Sequence, residues 1–161
     1  DNAGNVESNA VWSYTHTSPS IAGSPLRYSY AKIQKPNGVI FINIYGGPNT
    51  EFNETDSSFV NFDLPPVSSD AKIVSSEHYY YIASGSKLYR VSFENNSYED
   101  VLPAGAYEVY TLNVNANDIL QVSAMRFSDG KKIIAEINLQ NELTVLDEEK
   151  DQDVLYLQRL N

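Results

Sequence analysis

The chain has no cysteine, one tryptophan, one methionine and few cations, with 11 Lys and Arg against 21 Asp and Glu for a net charge of −10. Without cysteine there is no disulfide framework, no thiolate zinc site and no cysteine nucleophile. The shortage of cations argues against nucleic acid, where Lys and Arg must neutralise phosphates. It equally disfavours anionic membrane surfaces. No apolar run approaches the roughly 18 residues that a membrane-spanning helix requires, so no transmembrane segment is expected. With two histidines and no G-x-S-x-G turn, neither a nucleophile elbow nor a His-based metal site has a sequence signal.

What is present is β-type. In 161 residues there are 12 Tyr and 6 Phe, enough apolar content for one domain with a core, and no sustained apolar period of 3.6 residues. Asn gathers at the breaks between apolar runs, where its tolerance of left-handed backbone suits turns. Three turn signals, Pro36-Asn37-Gly38, Ser84-Gly85-Ser86 and Ser128-Asp129-Gly130, fall at steps of roughly 45 residues, near the length of a four-stranded propeller blade.

The runs flanking these turns predict strands. Residues 1–25 are polar and read as an N-terminal arm or linker, within which Val11–His16 forms one strand placing Trp12, Tyr14 and His16 on a common face. An all-β domain of repeated four-strand units is then expected over 26–161. Its first unit contains Tyr28–Gln34, Val39–Tyr45, a long loop over Gly46–Ser58, and Phe59–Leu64. The second contains Ala71–Ser75, His78–Ala83, Lys87–Phe93 and Tyr98–Leu102. The third contains Tyr107–Val114, Ile119–Phe127, Lys132–Asn138 and Glu142–Asp147, with a last strand at Val154–Leu160. Two registers fit the third unit, because the Gly130 turn can join either its second and third strands or its first and second.

Phe127-Ser128-Asp129-Gly130-Lys131-Lys132-Ile133-Ile134-Ala135 resembles the F-S-P-D-G-K-K-I-A turn of many β-propellers, without the Pro between Ser and Asp. The stretch from Tyr79 to Val91, with Gly85-Ser86-Lys87-Leu88-Tyr89-Arg90, is similar to the propeller pattern Y-Y-x-G-x-K-L-Y-R-Y. Together, over residues 72–147, they resemble propeller regions of bacterial surface lipoproteins, including the PKD-like lipoproteins encoded beside glycan-uptake systems. The resemblance implies a non-catalytic, cell-surface binding or scaffolding role. About three blades fall short of the 4–8 that close a ring, so a β-sandwich is the alternative architecture.

Candidate sites are few. Asp118, Asp129, Glu108 and Glu136 are the carboxylates on or beside strands that a glycosidase pair would need, and each has a plainer role as a turn former, strand start or solvent-side residue. Asp147, Glu149, Asp151 and Asp153 alternate like a calcium loop, but Gln152 and Gln158 occupy the positions that require Gly and Glu. No catalytic or metal residue and no cofactor is therefore assigned. The ligand-binding candidates are aromatic: Trp12 and Tyr14 on one strand, Tyr79 and Tyr81 on another, with core packing as the competing role. The reading is an exported bacterial protein of the cell surface or periplasm, with Asp1 in place of an initiator Met suggesting a removed leader or an upstream region. It would bind a glycan or a partner protein. The alternatives are a fragment of a propeller-type glycoside hydrolase and a self-contained β-sandwich carbohydrate-binding or adhesion module.

Overall fold

Short runs of Tyr, Val, Ile and Phe broken by Asn, Gly and Pro build strands and little else. The computed structural model describes residues 13–18, 26–44 and 48–150, and among them there are thirteen strands and no helix. An N-terminal sheet holds β1 (Ser13–Ser18), β2 (Leu26–Lys35), β3 (Gly38–Asn43), β4 (Asn49–Asn53) and β5 (Ser58–Phe62) in that spatial order. A central sheet holds β6 (Lys72–Ser75), β7 (Tyr79–Ser84), β8 (Lys87–Ser92) and β9 (Tyr98–Asp100). A C-terminal sheet holds β10 (Tyr107–Val114), β11 (Leu120–Arg126), β12 (Lys132–Ile137) and β13 (Leu143–Glu148). Every neighbouring pair is antiparallel.

The sheets stack face to face, and the central one is covered on both sides. On β7, Tyr80 and Ile82 pack with Ala31, Ile33, Ile40 and Ile42 of the N-terminal sheet. Tyr81 and Ala83, pointing the other way by the period-two rule, pack with Val122, Ala124, Ile133 and Ala135 of the C-terminal sheet. Tyr80, Tyr81 and Ile82 have no exposed surface at all. Continuous burial along β7 and β8 is what a sheet between two others shows, whereas a sandwich would leave one face of each sheet wet. Stacked four-strand meanders of this kind are propeller architecture, not a β-sandwich.

One expectation is corrected and one open register is decided. The stretch read as a long loop over Gly46–Ser58 contains β4, whose five residues include only one apolar side chain, Phe52. Pairing to β3 and β5 holds it in place, and the buried Asn49 accepts the Asn43 N–H through Oδ1 at 2.8 Å. The Gly130 turn joins β11 to β12, the second and third strands of its sheet, as the Gly85 turn joins β7 to β8. Those two turns are equivalent and their glycines have φ of 70° and 60°. The Gly38 turn differs, because β2 to β5 correspond to β6–β9 and β10–β13, and β1 is an extra strand on the β2 edge. That strand falls within the stretch read as an arm. The expected Val154–Leu160 strand lies outside the described residues.

Candidate functional site

The first-to-second-strand turns of the three units meet at one end of the stack. The β2–β3 turn (36–37), the β6–β7 turn (76–78) and the β10–β11 turn (115–119) wall a groove of about 510 Å³ that includes Gln34, Pro36, Ser75, Ser76, Glu77 and Asn115. A second hollow of about 310 Å³, reaching to His78, Tyr79 and Glu94, shares Lys35, Pro36, Glu77 and Phe93 with it. The two form one continuous furrow across the turn end.

Side chains, not just loop packing, fix its walls. Asp118 sits in the β10–β11 turn with φ 59° and is 7% exposed. Its Oδ1 accepts the Ser76 hydroxyl, and its Oδ2 lies 3.3 Å from Nδ1 of His78. Its backbone oxygen accepts the Tyr81 hydroxyl at 3.4 Å. Asn115 caps the same turn by accepting the N–H groups of Asn117 and Ile119 through Oδ1 at 2.9 and 3.1 Å. On the opposite wall, the Lys35 ammonium bridges the Glu51 carboxylate and the Phe93 carbonyl, the latter at 2.7 Å. Asn96 ties Glu51 back to the central sheet at 2.6 Å. The furrow is thus preorganised, polar, and held by residues from all three sheets.

Ser76, His78 and Asp118 carry the residue types of a nucleophile relay, but their order differs from one. In a relay the imidazole stands between hydroxyl and carboxylate and takes the hydroxyl proton. Here the carboxylate stands in the middle and receives both partners, so the Ser76 proton points to Asp118 and His78, 64% exposed at its side chain, lies on the far side. The arrangement is a clasp between two turns.

The other sequence candidates fall elsewhere. Tyr81 is wholly buried in the core between the central and C-terminal sheets, with no ring face open to a sugar, so its place as a stacking candidate is corrected. Tyr79, half-buried, shares that core side and borders the smaller hollow. Both rings pack under Arg90, whose guanidinium carbon is 5.8 and 5.6 Å from their centroids. Burial pushes the Tyr81 hydroxyl upward in pKa, with the neighbouring Arg90 opposing. Tyr14 lies on β1 opposite Tyr30, and Trp12 is outside the described residues. Asp129 pairs with Arg126 at 2.6 Å, while Glu108 and Glu136 stand on the C-terminal sheet paired with Met125 and Gln121. These carboxylates do not face one another across the groove. Asp147 is on β13, and Asp151 and Asp153 lie outside the described residues. Among the described residues no three His, Asp or Glu side chains gather as a metal site.

Apart from Tyr79 at the smaller hollow, the residues that line the furrow escaped sequence reasoning because they are ordinary turn residues and strand ends. Their one signal was position: Pro36-Asn37, Ser76-Glu77 and Asn115-Ala116 all follow the first strand of a unit.

Three stacked antiparallel meanders with a furrow at one turn end define a partial β-propeller. Among solved structures, a streptogramin B lyase structure, itself a β-propeller, is similar, with a TM-score of 0.51 and 16% sequence identity over 85% of this chain and 49% of that one. The chain spans about half the length of that neighbour, and at this identity the likeness is one of fold alone. No protein-family profile matches the chain, and no curated protein is similar to it. No helix among the described residues is long and apolar enough to cross a membrane.

Proposed function

We propose that this chain is a non-catalytic binding module, exported by a bacterium to its surface or periplasm, that holds a glycan or a partner protein in the turn-end furrow. The observation that carries the reading is the convergence of three turns from three sheets on one preorganised polar groove. Ligand sites are concave and place a few fixed polar groups among packed walls. The Asn115 amide and the Glu77 carboxylate offer a donor and an acceptor to hydroxyl or peptide groups. Phe93 and Pro36 supply apolar wall. The resemblance to surface lipoproteins of glycan-uptake systems favours a glycan, and the streptogramin B lyase likeness adds no activity to the reading.

A glycan array tests it. Binding is expected, with loss of at least tenfold in affinity on Glu77→Ala and little change in melting temperature, because Glu77 is exposed. An empty array would set the glycan aside in favour of a partner protein, whereas binding that Glu77→Ala leaves intact while Tyr14→Ala removes it would move the site away from the furrow. Turnover of chromogenic glycosides would overturn the non-catalytic reading.

A further inference from the structure

Propellers leave only short, protected outer edges, because an unpaired strand is a template for another chain. Two of the three outer edges here follow that rule. β9 is three residues long and carries Glu99 and Asp100. β13 is offset by a register shift opposite Ile134 and Ala135 and ends in Asp147 and Glu148.

The third edge does not. β5 reads Ser58-Phe59-Val60-Asn61-Phe62, with no charge, no proline and no glycine, and pairs with β4 over its whole length without a shift. Phe59 is 68% exposed and Val60 57%, the highest values among the exposed large hydrophobic residues described. The strand is also held rigid. Phe59 stacks on Phe52 with ring centroids 4.8 Å apart, and the Thr50 hydroxyl donates to Asn61 Oδ1 at 3.1 Å. No strand pairs with its outer side among the described residues.

We propose that β5 is a dimerisation edge, on which a second copy of this chain adds its own β5 antiparallel about a two-fold axis at Val60. The strand is self-complementary, as a two-fold interface requires. With Val60 opposite Val60 of the second copy, Phe59 faces Asn61 and Ser58 faces Phe62, so all five residues pair. Charge singles out this surface. A chain of net charge −10 repels its own copy over most of its surface, and β5 is a stretch where no carboxylate meets another across the ladder. Asp56 and Asp63 flank the strand and approach each other at its two ends, so the pairing carries a residual repulsion that salt screens. The two N-terminal sheets become one continuous sheet, and the turn-end furrows of both copies stay open.

Sedimentation equilibrium of the 161-residue chain over concentration and salt is the test. The expected result is a reversible equilibrium between a species of 18.0 kDa and one of twice that mass. Dimerisation should tighten severalfold as the screening length falls from about 30 Å at 0.01 M salt to about 10 Å at 0.1 M. Val60→Lys should weaken it at least tenfold with an unchanged circular dichroism spectrum, and Phe59→Ser should do the same by removing the exposed ring without adding charge. Hydrogen exchange at Phe59 and Asn61, whose amides point away from β4, should slow as protein concentration rises, while that of Val60, which faces β4, should not change. A chain that stays monomeric at every concentration overturns the proposal. So does a dimer indifferent to both substitutions, and so does protection of these amides by an unrelated extended peptide on a monomeric chain.

Discussion

Asp118 is a carboxylate taken almost wholly out of water on a backbone that L residues rarely adopt. Such a group is tolerated only when hydrogen-bonded, and its partners Ser76 and His78 both come from the neighbouring sheet's turn. Asp118→Ala removes both bonds and strains the left-handed position, so it should cost about 2–3 kcal/mol in urea unfolding. Asp118→Asn, which tolerates positive φ and still offers one oxygen, should cost less. Asp129 behaves differently because it is on the surface. The Arg126 guanidinium beside it, helped by the Lys131 N–H, holds its carboxyl below the usual carboxylate range. A depressed carboxyl stabilises the fold above the unfolded pKa and loses that contribution as pH falls through the folded one. The melting-temperature gap between the native chain and Asp129→Asn should therefore be constant near neutrality and close below about pH 4.

At the scale of elements, Arg90 on β8 is the staple between two sheets. It is 2% exposed and reaches the Asn138 carbonyl at 2.9 Å, Asn141 Oδ1 at 2.7 Å and Glu99 at 2.8 Å. Burial alone would favour its neutral form, but the Tyr81 hydroxyl and Glu99 outweigh it and keep the guanidinium charged. Lysine has no planar fork to meet those acceptors, so Arg90→Lys should destabilise by about 2 kcal/mol and Arg90→Ala by about 3–5 kcal/mol in urea unfolding. Gly38 is constrained for another reason. A Cβ there would stand 2.5 Å from the Phe52 carbonyl oxygen, whereas one on Gly85 meets nothing and is disfavoured only by its φ of 60°. Gly38→Ala should thus cost more than Gly85→Ala, by roughly 1–2 kcal/mol in paired unfolding curves.

The same elements show what can be read from sequence. The strands of the central and C-terminal sheets lie within one or two residues of expectation, because their apolar runs are bounded by Gly85, Gly130, Asn95-Asn96 and Pro103. Asn37, Asn96 and Asn141 do adopt positive φ, as the clustering of Asn at breaks predicts. β4 was illegible because a strand paired on both edges needs little apolar content of its own. Asp118 reads as the start of a strand because only tertiary contact reveals the clasp. The furrow was hidden for a similar reason: its turns are some 40 residues apart in sequence and meet only when the sheets stack.

At the scale of the whole molecule, three four-strand units, the first extended by β1, stack in series among the described residues. The central sheet is buried on both faces, while β11 and β12 alternate buried and exposed residues as a sheet with one wet face does. The stacking brings the furrow's three walls from three separate sheets. Ligand held there would bridge those sheets. The most direct test is NMR mapping on the intact chain titrated with a glycan selected by the array. The account predicts shift changes clustered at Gln34 to Pro36, Ser75 to His78 and Asn115 to Ala116. Changes confined to β5, to the outer face of the C-terminal sheet or to residues preceding β2 would contradict it.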